Sequence, residues 1–204
     1  MQILLGGDSA GGNLVCALLL RLAYPHPSGL VPSINLSTPL LGALLISPWI
    51  SFDTSSPAFQ SNSRSDYITI DAIDLAARSY VGSQRKHDHY TQPIKASVEC
   101  WAKVVNSVVT EIMLWAGSGE ILFDEISIFA RLLTQAFAEN RSSSANNESE
   151  QQPSHTESHF NFIVTEKASH EKMLLDALFL INRAGNGNGD IKDWFIKVLA
   201  SQSD

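Results

Sequence analysis

The residue types near the start of the chain fit a nucleophilic serine. The pentapeptide Gly7–Gly11 (Gly-Asp-Ser-Ala-Gly) follows a short apolar run at residues 2–5 and precedes a long apolar stretch. A serine on a sharp strand-to-helix turn exposes its hydroxyl at the carboxyl edge of a sheet, and small residues two positions to either side relieve crowding. The N–H of Ala10 would then point at a developing oxyanion beside the helix N-terminus. The alternative is that Ser9 is a structural turn residue.

Strand-like and helix-like segments alternate along the chain. Apolar runs typical of buried strands occupy residues 2–5, 41–48, 108–118 and 160–166. Helical composition or spacing occurs at residues 12–24, 120–140, 170–184 and 191–201. This alternation predicts an α/β fold with a mostly parallel sheet of about four strands and helices on both faces.

Two segments depart from that alternation. Residues 52–90 are polar and irregular apart from a helix that begins at Thr69 or Asp71 and ends at Gly82, so we expect an excursion from the sheet that could act as a cap. Residues 141–159 contain no large apolar side chain, and we expect a disordered surface insertion there. The remainder predicts a single domain.

Composition excludes several partner classes. A formal net charge of -7 and a pI near 5.3 disfavour binding to nucleic acid, which requires clustered Lys and Arg. No apolar stretch reaches the ~20 residues of a membrane span. Cys16 and Cys100 form no spacing typical of a metal site or a disulfide framework, which favours a reducing compartment and a cytoplasmic location. No metal or nucleotide motif is present, so we expect no cofactor.

The elbow resembles that of a known family. Residues 6–14 (GGDSAGGNL) are similar to the nucleophile elbow of the hormone-sensitive-lipase-like branch of the α/β-hydrolases, which includes arylacetamide-deacetylase-like esterases. Residues 44–51 (LLISPWIS), 92–96 (QPIKA) and 116–133 (AGSGEILFDEISIFARLL) resemble later segments of that branch. The resemblance implies that residues 1–204 form one partial domain, the C-terminal half of an α/β-hydrolase with an N-terminal truncation.

The same resemblance implies a catalytic role for three residues in the order serine, acid, histidine. Ser9 would be the nucleophile, Glu120 the acid and His170 the base. Glu120 stands where the family more often has Asp, and Asp124 is an alternative acid whose other reading is helix capping. For the remaining histidines we expect solvated or packed positions: His26, His87, His89, His155 and His159.

Two functions follow from these residues. The first is hydrolysis of a small or medium hydrophobic carboxylic ester through an acyl-enzyme. The second is a catalytically impaired or non-catalytic binding relative, because the 204 residues contain no His-Gly-Gly-Gly loop, which supplies further oxyanion donors in the family. The expected partner is a small-molecule ester, and no sequence feature indicates an oligomeric state.

Overall fold

In the computed structural model, which describes residues 2–25, 32–82, 88–145, 159–179 and 187–200, four strands form one sheet. They are β1 (Leu4–Asp8), β2 (Gly42–Ile46), β3 (Glu111–Gly117) and β4 (His159–Thr165). The spatial order is β1-β2-β3-β4, and every neighbouring pair is parallel. The predicted mostly parallel sheet of about four strands is confirmed.

The two central strands are buried at every residue because helices cover both faces of the sheet. Successive side chains on β2 alternate between two separate apolar cores, with Ala43 and Leu45 in one and Leu44 and Ile46 in the other. Strand β3 alternates in the same way, so that Leu114 faces the first core and Trp115 the second. This alternation follows from the two-residue repeat of a strand.

The described residues contain seven α-helices and a short 3-10 helix at Pro93–Lys95. The α-helices are α1 (Ser9–Ala23), α2 (Ala58–Ser61), α3 (Ile70–Val81), α4 (Val98–Ser107), α5 (Phe123–Ala145), α6 (Lys172–Leu178) and α7 (Asn188–Ala200). Helices α1, α4 and α5 contribute to the first core, and α6 and α7 contribute Met173, Ile191, Trp194 and Val198 to the second. Helices therefore cover both faces, as predicted.

Helix α4 was not among the helices expected from sequence, although its sequence carries a helix signal. Ser97 caps it by accepting a hydrogen bond from the backbone N–H of Cys100 at 3.3 Å, and Trp101, Val104 and Val105 are buried. The capping serine followed by apolar residues at helical spacing is the signal that predicts this helix. Its β-branched valines have modest helix propensity, and packing against α1 and α5 compensates for that.

The two segments that depart from the alternation differ in outcome. The helix expected within residues 52–90 is present as α3, with Thr69 accepting a hydrogen bond from the N–H of Ala72 at 3.2 Å. Helix α5 continues to Ala145 and β4 begins at His159, so both ends of the expected insertion at 141–159 belong to regular elements. Extending an existing helix costs little even for polar residues. Residues 146–158 lie outside the described residues.

Candidate active site

The residues predicted to do chemistry all lie just beyond the carboxyl ends of the strands. Ser9 follows β1, Glu120 follows β3 and His170 follows β4. Ser47, which was not singled out from the sequence, follows β2 directly. Because the carboxyl ends of parallel strands meet at one edge, the sheet brings these four side chains together.

The serine lies on a strained turn. Strand β1 ends at Asp8 and α1 begins at Ser9, which has a φ of 48°, a value rare for a residue with a side chain. The carbonyl of Ser9 accepts a hydrogen bond from the N–H of Trp49 at 2.9 Å, which ties the turn to the segment after β2. Ala10 lies in the first turn of α1, where backbone N–H groups have no acceptor within the helix.

The turn leaves no room for a side chain at Gly7 and Gly12, whereas the motif points to Gly7 and Gly11. A Cβ on Gly7 would lie 2.4 Å from the backbone of Gly11, and a Cβ on Gly12 would lie 2.7 Å from Pro48. A Cβ on Gly11 would meet nothing closer than Asp8, at 4.0 Å. The expectation that both glycines of the pentapeptide are sterically required is therefore correct for Gly7 and wrong for Gly11.

This asymmetry predicts opposite effects of two matched substitutions on stability. Gly7→Ala should lower the free energy of unfolding by about 1–3 kcal/mol or more, because its methyl group overlaps fixed backbone atoms. Gly11→Ala should be neutral or stabilise the fold by up to about 1 kcal/mol, because alanine is the better helix former. Urea denaturation of both variants measures the difference, and equal stabilities would contradict the steric assignment.

Ser9, His170 and Glu120 form one hydrogen-bonded chain. Nε2 of His170 lies 2.9 Å from Oγ of Ser9, and Nδ1 lies 2.9 Å from Oε2 of Glu120. His170 is 1% exposed and Glu120 is 0% exposed, so water is excluded from the second contact. An ionised carboxylate only accepts hydrogen bonds, so Nδ1 carries the proton toward Glu120 and Nε2 is left to interact with the serine.

The carboxylate of Glu120 has a second oxygen that is fixed independently. Oε1 accepts hydrogen bonds from the backbone N–H of Gly117 at 2.7 Å and from the hydroxyl of Ser47 at 3.2 Å. Burial raises the pKa of the Glu120 carboxyl, and the hydrogen bonds from His170, Gly117 and Ser47 oppose that rise. The side chain is thereby held in one orientation relative to His170.

Asp124, the alternative acid, makes its hydrogen bond to a helix terminus rather than to His170. Its Oδ2 accepts a hydrogen bond from the N–H of Ala58 at 2.8 Å, at the beginning of α2. This is a helix-terminal role, close to the capping alternative. Among the other histidines, His89 contacts the ring of Tyr90, and His159 lies 4.0 Å from Glu111. His26, His87 and His155 lie outside the described residues.

Asp66 is a site residue that sequence reasoning missed. Its Oδ2 accepts a hydrogen bond from the N–H of Ile121 at 2.8 Å, and its Oδ1 accepts one from the N–H of His170 at 3.3 Å. One side chain from the 52–90 excursion therefore joins the loop carrying Glu120 to the loop carrying His170. Asp66 lies in a run of polar residues, where no local pattern distinguishes it. The cap role of the excursion stays a prediction.

A second missed residue, Glu171, directly follows His170. Its Oε1 lies 3.4 Å from Nε2 of His170, the nitrogen that also contacts Ser9. Burial of the imidazole ring lowers the pKa of His170, but the hydrogen bonds and charges of Glu120 and Glu171 outweigh burial and raise the pKa from 6.5 to about 9. Both carboxylates therefore favour the protonated form of the ring.

The described part of the chain has neither a cluster of metal-binding side chains nor a helix that could span a membrane. Within that part, no group of three or more His, Cys, Asp or Glu side chains could hold a metal ion. None of its helices is both long enough and apolar enough to cross a membrane. Cys16 is fully buried, and burial raises the pKa of its thiol.

An elbow serine, an acid and a histidine that follow, in this chain order, three strands of one parallel sheet are the arrangement of the α/β-hydrolases. The family model described as alpha/beta hydrolase fold matches residues 1–150, which include Ser9 and Glu120. The chain belongs to this family. It is also 28% identical, over 127 residues, to probable carboxylesterase 6 of Arabidopsis thaliana, an alignment covering 60% of this chain and 33% of that protein.

Solved structures agree with the family assignment at the level of fold. A hormone-sensitive lipase from a metagenome library has a TM-score of 0.65 at 18% identity, over 96% of this chain and 54% of its own. An esterase of the bacterial hormone-sensitive lipase family has a TM-score of 0.59 at 20% identity, over 90% and 48%. Carboxyl esterase 2 of the fungus Tuber melanosporum has a TM-score of 0.61 at 19% identity, over 90% and 49%.

The family model confirms membership of the α/β-hydrolases that the elbow residues indicate, and solved proteins described as hormone-sensitive lipases or their relatives share the fold. The chain spans about a third of the length of the carboxylesterase relative and about half the length of these solved structures.

Proposed function

We propose that this protein is a serine carboxylic-ester hydrolase that acts through an acyl-enzyme on a small or medium hydrophobic ester. The observation that carries the proposal is the hydrogen-bonded chain from Ser9 through His170 to Glu120, with both contacts at 2.9 Å. A serine hydroxyl is a weak nucleophile unless an adjacent base takes its proton, and the base needs an orienting acceptor. These side chains supply each of those roles.

In the first step, Ser9 Oγ bonds to the acyl carbon of the ester while its proton moves to Nε2 of His170. The carbonyl oxygen becomes an oxyanion, toward which the N–H of Ala10 at the start of α1 is the proposed donor. Glu120 stabilises the imidazolium that forms. Collapse of the intermediate breaks the bond to the alcohol oxygen, which receives the proton from Nε2.

In the second step, water replaces the alcohol. His170 takes a proton from that water as its oxygen bonds to the acyl carbon, and the same oxyanion position is used again. The bond to Ser9 Oγ then breaks, and Nε2 returns the proton to the serine. The products are a carboxylic acid and an alcohol, and the side chains are restored.

A non-catalytic or impaired relative is the second candidate, and one sequence observation favours it. The 204 residues contain no His-Gly-Gly-Gly loop, so Ala10 is the oxyanion donor that we can assign to this chain. Loss of a single oxyanion donor costs about 10²–10³ in rate. The role of Ser9 as nucleophile is therefore best tested by a reaction that occurs once per protein molecule rather than by sustained turnover.

Labelling with a fluorophosphonate meets that requirement, because the probe forms one stable bond to an activated serine. We expect stoichiometric labelling, with the adduct located on Ser9 by peptide mass spectrometry. Ser47 is the internal comparison, because like Ser9 it has a positive φ, 44°, but it is fully buried and lies against Glu120 rather than His170 Nε2. An adduct on another serine would contradict the assignment of Ser9, and a folded chain without any adduct would favour the non-catalytic candidate.

A further inference from the structure

A second carboxylate faces the same nitrogen of His170 as the serine does. Oε1 of Glu171 lies 3.4 Å from Nε2, while Ser9 Oγ lies 2.9 Å from it. The scheme of serine, base and acid needs one carboxylate, and Glu120 already occupies Nδ1. Glu171 is therefore a charged group in contact with the reacting nitrogen that the scheme does not use.

The surroundings hold Glu171 in this position. Its φ of 52° is in the left-handed region, and its backbone N–H donates a hydrogen bond to Ser47 Oγ at 3.2 Å. The hydroxyl of Tyr67 donates to Oε2 at 3.0 Å, which leaves Oε1 facing His170. The side chain is 17% exposed, so solvent screens the contact only in part.

The charge at this contact belongs to Glu171 rather than to its neighbour Asp8. Burial and the adjacent Glu171 carboxylate raise the pKa of Asp8. The hydrogen bond to His170 lowers the pKa of Glu171, with a further contribution from the Tyr67 hydroxyl. When two carboxyl groups interact, the one with the better donors stays ionised, and here that group is Glu171.

We propose that Glu171 is a positioning residue that stabilises the protonated form of His170 and thereby sets the pH above which Ser9 is activated. The proposal rests on the function proposed above, since it assigns His170 as the base. While Nε2 carries a proton shared with Glu171, it cannot accept the proton of Ser9. Loss of that proton at higher pH frees Nε2 for the serine.

Other groups around His170 also affect its charge. Glu120 faces Nδ1 from the loop after β3, and the Asp8 carboxyl interacts with His170 from the end of β1. From the 52–90 excursion, Asp66 accepts the backbone N–H of His170, and the ring of Tyr67 lies 5.9 Å from the imidazole. Glu171 differs from all of these because its carboxylate contacts Nε2 itself.

The direct test is an NMR titration of the His170 ring in the full chain, with its signal identified by its loss in His170→Gln. Glu171→Gln keeps the size of the side chain and removes its charge, so we expect the pKa of His170 to fall by about one unit or more. Glu166→Gln is the matched control, because it removes an equal charge from an exposed side chain five residues from Glu171. The control should leave the His170 pKa unchanged.

The kinetic readout is the rate of fluorophosphonate labelling as a function of pH. In the unchanged protein the rate should rise through the pKa of His170. At pH 7, Glu171→Gln should label about threefold faster, because about tenfold more neutral imidazole outweighs a roughly threefold weaker base for a Brønsted slope of about one half. Above both pKa values the order should reverse. A merely structural defect would slow labelling at every pH.

Glu171→Asn is a second variant for the case in which Glu171→Gln does not fold, since asparagine tolerates the left-handed backbone well. It should lower the His170 pKa in the same direction as Glu171→Gln. A His170 pKa that stays equal to the Glu166→Gln value in both variants would overturn the proposal, as would a labelling midpoint that fails to follow a shifted pKa. If the His170 pKa shifts but the chain is never labelled by the fluorophosphonate, the result would support the stabilisation of protonated His170 by Glu171. The same result would count against the proposed hydrolase function.

Discussion

Replacing Ser9 by alanine is expected to reduce ester hydrolysis to background and to abolish fluorophosphonate labelling. Removal of the nucleophile from a serine hydrolase lowers kcat by a factor on the order of 10⁶, because the base and the acid then have no hydroxyl to activate. Ser9 is the serine whose Oγ lies 2.9 Å from Nε2 of His170. Hydrolysis of p-nitrophenyl acetate and labelling of the purified chain measure the loss.

The matched control is Ser107→Ala, which makes the same chemical change at a remote, exposed position. The Ser107 hydroxyl donates a hydrogen bond to the carbonyl of Lys103 within α4, at 2.8 Å. Both variants should keep the stability of the unchanged chain, since the Ser9 hydroxyl is only partly buried. Hydrolysis or labelling that survives in Ser9→Ala, at the level seen in Ser107→Ala, would exclude Ser9 as the nucleophile.

Much of the sheet could be predicted from sequence, because buried parallel strands read as short apolar runs. Strand β2 was expected within 41–48 and is Gly42–Ile46, and β3 was expected within 108–118 and is Glu111–Gly117. The apolar run predicts a first strand at 2–5, whereas β1 begins at Leu4 and continues through Gly6 and Gly7 to Asp8. Glycine normally ends a strand pattern, and here the close approach of Gly11 requires it inside the strand.

The positions of the side chains proposed to react could be predicted, whereas those of the groups around them could not. Ser9, Glu120 and His170 each follow an apolar run, and the carboxyl edge of a parallel sheet gathers such residues. Asp66 reaches the site through two backbone contacts, to Ile121 and His170, that join distant parts of the chain. Such contacts follow from the path of the excursion, which has no periodic pattern to indicate it.

The positions of Ser47 and Glu171 could be predicted only in part. Each is adjacent to a predictable position, one directly after β2 and the other directly after His170. Both adopt positive φ values, 44° and 52°, and the Glu171 N–H donates to Ser47 Oγ at 3.2 Å. Position after a strand could have indicated Ser47, but the turn of Glu171 back toward Nε2 depends on a left-handed backbone that glutamate rarely adopts.

The orientation of Glu120 determines what an amide at this position would do. Its Oε1 accepts the backbone N–H of Gly117 and the hydroxyl of Ser47, while Oε2 faces Nδ1 of His170. A glutamine has one oxygen and one NH₂ group, and the fixed N–H of Gly117 requires the oxygen on its side. The NH₂ group would then face Nδ1 of His170.

Glu120→Gln should therefore lower kcat for ester hydrolysis by about 10⁴-fold, since an amide donor at Nδ1 favours the tautomer with the proton on Nε2, which cannot accept the proton of Ser9. Asp124→Asn is the matched control, and it should change kcat little because the asparagine oxygen can still accept the N–H of Ala58. Steady-state kinetics of both variants measure the ranking. A larger loss in Asp124→Asn would transfer the role of the acid to Asp124, and equal small losses would mean that neither carboxylate orients His170.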